Sequence, residues 1–136
     1  MDELSKSTQI AISGMKVQSQ RLRVISENMA NADSTAQSPE GLPYRRKVVT
    51  FKNELDRSTG INKVKVDKVR GDTSDFQRRY DPKHPAADRE GYVLTPNVNP
   101  LIEMMDMREA QRSYEANMNV INTSRTLLSR TVEMLR

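Results

Sequence analysis

The two ends of this chain carry the same heptad pattern, and the stretch between them does not. Near the N-terminus, Leu4, Thr8, Ala11, Met15, Gln18, Leu22, Ile25, Met29 and Ala32 recur at alternating steps of four and three. Near the C-terminus, Met104, Met107, Gln111, Tyr114, Met118, Ile121, Arg125, Leu128, Val132 and Leu135 do the same. Such spacing gathers each set on one face of a helix. Each helix also carries a second apolar line with a period of seven: Ile10, Val17 and Val24 in the first, Val120, Leu127 and Met134 in the second. A two-stranded coiled coil needs one seam per helix. Two lines therefore point to contact with more than one neighbour, as in a bundle or a layered array. The alternative is a single wide stripe packed against the chain's own middle. Polar Gln18, Gln111 and Arg125 within the main lines would fix register and partner choice at some cost in stability.

Composition explains why these helices need partners. Only 35% of the 136 residues are apolar, 4% are aromatic, and there is no Trp. Soluble domains reach roughly 45–50% apolar counted with Gly, and the 5 Gly here leave the chain short of that. Either much of an isolated monomer is disordered, or neighbouring subunits complete its core. The net charge is +4, with basic runs at Arg45-Arg46-Lys47, Lys63/Lys65/Lys68/Arg70 and Arg78-Arg79. That balance is compatible with an anionic partner, but 18 acidic residues accompany the 22 basic ones, which reads as a solvated mixed-charge surface.

The first helix is expected from Asp2 to Ala32, about 45 Å long, with Gly14 weakening it by about 1 kcal/mol relative to Ala. It stops in Asn31-Ala32-Asp33-Ser34-Thr35, whose side chains compete for backbone hydrogen bonds. Pro39, Gly41 and Pro43 mark a loop. Tyr44 to Phe51 reads as a strand, followed by a loop or short helix around Asn53–Asn62. Residues 63–69 read as a short amphipathic strand, residues 71–91 as polar turns, and Tyr92-Val93-Leu94 as a third strand. Asn99 is placed to cap the second helix, Pro100 suits its first turn, and Glu103 lies near the positive end of its dipole. No Gly or Pro follows from Leu101 to Arg136, about 54 Å of helix. The division is an N-terminal helix over 1–32, a middle over 33–98 and a C-terminal helix over 99–136, the two helices forming one domain.

No catalytic set emerges, so the chain is not expected to be an enzyme. His84 is the only histidine and sits in a turn-like segment, there is no Cys, and the glycines are isolated. Glu103 and Asp106 lie three apart, read as charge at a helix N-terminus rather than as a carboxylate pair. No cofactor or metal is expected. Residues 1–20 lack the apolar block of a cleaved secretory signal, and no stretch approaches a membrane span. Eight Met, five of them in the last helix at Met104, Met105, Met107, Met118 and Met134, suit surfaces that adapt to imperfectly matched neighbours.

Several segments are similar to the bacterial flagellar rod and hook family. Ser26-Glu27-Asn28-Met29-Ala30-Asn31-Ala32-Asp33-Ser34-Thr35 resembles its Asn-rich signature after the first helix. Pro43-Tyr44-Arg45-Arg46-Lys47, set off by Ala36 to Leu42, resembles the proximal-rod form of the segment that follows. Arg78-Arg79-Tyr80-Asp81-Pro82, His84-Pro85-Ala86-Ala87-Asp88, Gly91-Tyr92-Val93 and Pro96-Asn97-Val98-Asn99-Pro100 resemble the middle of that form. Arg112-Ser113-Tyr114-Glu115-Ala116-Asn117 and Val120-Ile121-Asn122-Thr123 resemble the family's C-terminal helix. The resemblance implies a structural subunit exported through the flagellar type III apparatus without a cleaved signal and assembled in the periplasmic rod, where it transmits torque. Implied neighbours are further copies, FlgB, FlgF, FlgG, FliE and the membrane ring.

The resulting expectation is a mainly α chain. Long terminal helices pack antiparallel as a coiled-coil-like pair, with a small irregular β-containing middle. Leu4, Ala11, Met15, Leu22, Ile25, Met29, Met104, Met107, Tyr114, Met118, Ile121, Leu128, Val132 and Leu135 are the expected assembly interface, and the period-seven lines a second seam. A basic coiled-coil protein that binds nucleic acid is the alternative reading. The favoured reading involves neither nucleic acid nor membrane insertion.

Overall fold

The computed structural model describes residues 2–136. In chain order it contains α1 (Asp2–Ala30), β1 (Lys47–Asp56), β2 (Ile61–Gly71), β3 (Gln77–Tyr80), β4 (Tyr92–Thr95) and α2 (Pro100–Met134). Two long helices thus pack together, and the small middle region holds short antiparallel strands that form one β1–β2 sheet and one β3–β4 sheet. Among the described residues no helix is long and apolar enough to cross a membrane. Two compact units divide the chain, and each draws on both helices and on the middle: residues up to Leu22 with Val49–Lys68 and Arg108–Arg136, and Arg23–Val48 with Val69–Met107.

In the first unit the helices run antiparallel. Gly14 of α1 lies against Asn117 of α2, where an added Cβ would come within 2.7 Å of Nδ2, and Arg21 reaches back to Glu109 at 3.5 Å. The missing Cβ at Gly14 lets the two backbones approach, which accounts for a residue that otherwise weakens the helix. Small residues continue this contact, with Ala11, Ala110 and Ser124 all buried. The β1–β2 hairpin lies along α1, where the Val64 N–H donates to Ser13 Oγ (3.4 Å). Its turn spans residues 57–60. Gly60 adopts a φ of +70° that favours glycine, and its N–H donates to Asp56 O (2.7 Å).

The hairpin therefore replaces the expected break around 53–62. Its outer half is held by cross-strand ion pairs: Lys52 with Asp67 (3.6 Å), Lys65 with Glu54 (3.4 Å) and Lys63 with Asp56 (2.7 Å). Side chains alternate along a strand, so these three pairs share one face and leave Phe51, Leu55, Val64 and Val66 on the other. Lysines along both free edges discourage further strand pairing.

In the second unit, β3 and β4 pair in register from Gln77 opposite Thr95 to Tyr80 opposite Tyr92. Val93 points inward and is fully buried. The opposite face stacks Tyr80 on Tyr92 edge-on at 5.3 Å, with the Arg78 guanidinium 4.5 Å over the Tyr92 ring. Gly91 turns the chain into β4 at a φ of +90°, with the Tyr80 ring and Pro82 filling the place of its missing side chain. Val24, Ile25, Ala86 and Val98 complete a small apolar core.

Candidate assembly surfaces and the polar clamp

The centre of the second unit is polar. Asn28, near the end of α1, is buried and fully satisfied. Its Oδ1 accepts from the Lys47 N–H (2.9 Å) and the Tyr44 hydroxyl (2.7 Å). Its Nδ2 donates to Lys47 O (2.9 Å) and Glu103 Oε2 (3.3 Å). The amide side chain therefore pairs with Lys47 as a neighbouring strand's peptide would. Glu103 of α2 is 0% exposed, and its other oxygen accepts from Arg46 Nε. Arg46 also reaches Asp72 (3.3 Å) and Asp106 (3.4 Å). Its N–H donates to Asn97 Oδ1 (2.8 Å), while Asn97 Nδ2 donates to Asp72 O and Ser74 O, both at 3.1 Å. Asn28, Arg46, Asn97 and Glu103 thus tie the end of α1, the start of β1 and the start of α2 into one network.

The sequence motifs acquire roles here. Glu27 receives Lys47 Nζ at 2.7 Å. Asn31 Nδ2 bonds back to Glu27 O and its Oδ1 accepts from Ser34, so it closes α1. Asn99 caps α2, accepting the Leu101 N–H at 3.1 Å. Glu103, expected as charge near the N-terminus of the second helix, lies in the first turn of α2 and is also the inward ion-pair partner of Arg46. His84, expected on a free surface loop, accepts the Ala86 N–H at Nδ1 (2.9 Å) and meets Thr35 Oγ1 through Nε2 (3.0 Å). It joins the loop after α1 to the turn before β4.

Charge in this unit makes stability depend on pH. Asp72 is held below the usual carboxylate range by the Ser74 N–H and hydroxyl and by Arg46. Asp88 is lowered by the N–H groups of Tyr92 and Glu90 and by Arg78. Burial and Glu27 raise the Tyr44 hydroxyl, which keeps it a donor. A depressed carboxylate contributes stability above its unfolded pKa and loses it as pH falls through the folded value. The urea midpoint should therefore hold from neutrality to about pH 5 and fall below about pH 4. Asp72→Asn should make that fall shallower; an equally steep fall in the variant would count against this assignment.

The main line of α1 matches its burial. Leu4, Met15, Leu22 and Met29 are half-buried, and Ala11 and Ile25 are buried. The α2 line is only half matched. Met107, Tyr114, Ile121 and Leu128 are half-buried, whereas Met104, Gln111, Met118, Arg125, Val132 and Leu135 are exposed. The inward positions of α2 are Glu103, Ala110, Asn117 and Ser124, beside the exposed Met104, Gln111, Met118 and Arg125. They lie one residue earlier, about 100° round the helix, and are polar or small, so hydropathy did not reveal them. The second lines also part ways. Val17 and Val24 are buried by the chain itself, and Val17 shares an apolar groove with Val64 and Val66. Ile10, Val120, Leu127 and Met134 face outward.

Two family models match this chain: "Flagella basal body rod protein" over residues 9–36 and "Flagellar basal body rod FlgEFG protein C-terminal" over residues 89–134. Similar relatives include the flagellar basal-body rod protein FlgC of Agrobacterium fabrum, 55% identical over 100% of this chain and 98% of its own length. FlgC of Bacillus subtilis is 38% identical over 94% and 95%. FlgC of Salmonella typhimurium is 39% identical over 92% of both.

Proposed function

The chain belongs to the FlgC family of flagellar basal-body rod proteins and is a structural subunit of the basal-body rod; on that premise we propose that it builds the proximal rod through its terminal helices and carries torque across the periplasm. It assembles there with other flagellar components. Further copies, FlgB, FlgF, FlgG, FliE and the membrane ring are the neighbours in this reading. The chain would reach them through the flagellar type III export apparatus, without a cleaved signal, and act without catalysis. The terminal helices form one axial domain, and subunits share load along it.

The observation that carries this reading is the outward apolar face of α2. Val120, Leu127 and Met134 are exposed on one face of a single long helix, which is costly for a chain that stays alone in water. Heterologous contacts through such a face propagate as a helix when the rotation between copies does not close into a ring. The nucleic-acid alternative loses support because several of its basic residues are already engaged. Arg45 bonds Asp72 O, Arg46 binds Glu103, Lys47 binds Glu27, and Lys63 and Lys65 pair across the hairpin.

The test is to image the labelled chain in flagellated cells and to assay Leu128→Asp. The parent should sit in the periplasmic rod, and the variant should be expressed but give non-motile cells. A motile Leu128→Asp strain, or a parent chain outside the basal body, would overturn the reading.

A further inference from the structure

The loop over residues 35–43 has one polar fastening. Its base is closed where the Tyr44 N–H donates to Ser34 O (3.2 Å), and inside it the Gly41 N–H donates to Ser38 O (3.1 Å). Among the described residues, the single hydrogen bond from this loop to another segment joins Thr35 Oγ1 to His84 Nε2 (3.0 Å). Beside the loop lies a largely enclosed cavity of about 200 Å³. Ala36, Pro39 and Gly41 wall it on the loop side, and Ala86, Tyr92 and Leu94 wall it on the other.

The tautomer of that fastening follows from its second partner. The Ala86 N–H meets His84 Nδ1 at 2.9 Å. A backbone N–H can only donate, so Nδ1 must present its lone pair and the ring proton must sit on Nε2, aimed at Thr35. One neutral ring therefore serves both walls of the cavity. A second proton has only Nδ1 to go to, and it turns that atom into a donor facing a donor. The ring is rigid, so swinging Nδ1 away from Ala86 carries Nε2 off Thr35 as well. We propose that His84 is an acid-released latch: taking up a proton frees the loop over residues 35–43 and opens the cavity beside it.

The charged residues of the surrounding segments are Asp33 and Glu40 at the loop, Arg78 and Arg79 on β3, and Asp81, Lys83, Asp88, Arg89 and Glu90 in the turn. Among the described residues none of them pairs with the ring. Asp88 accepts from the Glu90 and Tyr92 N–H groups and holds Arg78, which also reaches Glu90. The proton therefore acts through the ring's two hydrogen bonds. Its effect is local, because the buried Val93 and the β3–β4 register do not involve His84. One exchanged hydrogen bond is small beside the whole fold, so the urea midpoint barely registers the release.

His84 is the only histidine, so its ring signals are unambiguous. Magnetic resonance of the full chain from about pH 7.5 to about pH 5 follows ring and backbone together. At neutral pH the ring nitrogens should show the proton on Nε2. As the ring titrates, protection of the Ala86 amide, relative to a free peptide at the same pH, should fall about tenfold, as expected for one lost hydrogen bond. Nitrogen relaxation should show the loop gaining fast motion with the same midpoint. His84→Asn keeps an acceptor for the Ala86 N–H and does not titrate, so its Ala86 protection should stay level.

A proton on Nδ1 at neutral pH would overturn the latch, as would a ring that stays neutral down to about pH 5. So would a ring that titrates while Ala86 and the loop stay unmoved, or an equal fall in His84→Asn. Should that variant fail to fold, the parent decides alone, since separate midpoints for ring and loop would sink the inference.

Discussion

Glu103→Ala should lower the unfolding free energy by about 3–5 kcal/mol, the usual result of removing one partner from a buried ion pair. The effect is large because the carboxylate is fully buried and has two jobs. It accepts from Arg46 and from the Asn28 amide, so its loss leaves the Asn28 N–H one acceptor short and leaves Arg46 only the longer contacts to Asp72 and Asp106. Against a typical total of roughly 5–15 kcal/mol, that threatens the whole fold. The imperfectly paired groups left behind, rather than the lost attraction, should dominate. Pairing Glu103→Leu with Arg46→Met should therefore recover part of the loss, the remainder reflecting Asp72 and Asp106, which then lack the guanidinium. Urea titration monitored by circular dichroism measures both. A Glu103→Ala variant within about 1 kcal/mol of the parent would refute the clamp's importance.

The second large effect concerns assembly and leaves the monomer alone. Val120→Asp combined with Leu127→Asp should shift the melting free energy by no more than about 0.5 kcal/mol, because both side chains already face solvent. The same pair should abolish motility. A carboxylate carried into an apolar contact without a partner costs several kcal/mol, and two such charges on one helix face exceed what a subunit contact can absorb. Thermal melting and a swarming assay separate the two readouts. A destabilised monomer would mean that this face packs internally, and full motility would mean that it touches nothing.

How much of this was visible in the sequence differs sharply between the helices. In α1 every position of the main line is at least half-buried, because apolar and small residues dominate it and periodicity tracks them. In α2 the inward face runs through Glu103, Ala110, Asn117 and Ser124, where burial depends on partners far away in the chain. Arg46 claims the first, and Gly14 lies against the third. A search for apolar side chains slides one residue along and selects Met104 and Met118 instead. The strand β3 was equally hard to find. Its Gln77-Arg78-Arg79-Tyr80 run has no alternation, and the apolar residue of that sheet's inner face, Val93, belongs to β4. The polar end of β1 hid for a related reason, since charge pairing with β2 holds it rather than burial. The family signature could be quoted from sequence, but Asn28's role appears only once Lys47 stands beside it.

The Asn28–Lys47 pairing also bears on how the protein answers force. A seam of aliphatic side chains resists separation but yields to gliding, since one methyl contact can be traded for the next. The Asn28 amide grips the backbone of one residue through both its N–H and its C=O, accepting from the first and donating to the second at 2.9 Å. Sliding α1 along its axis past Lys47 must break both bonds at once and expose a buried amide before any new contact forms. A single asparagine thus acts as a shear pin, making a helix that a lone apolar stripe would leave free to creep stiff along its length.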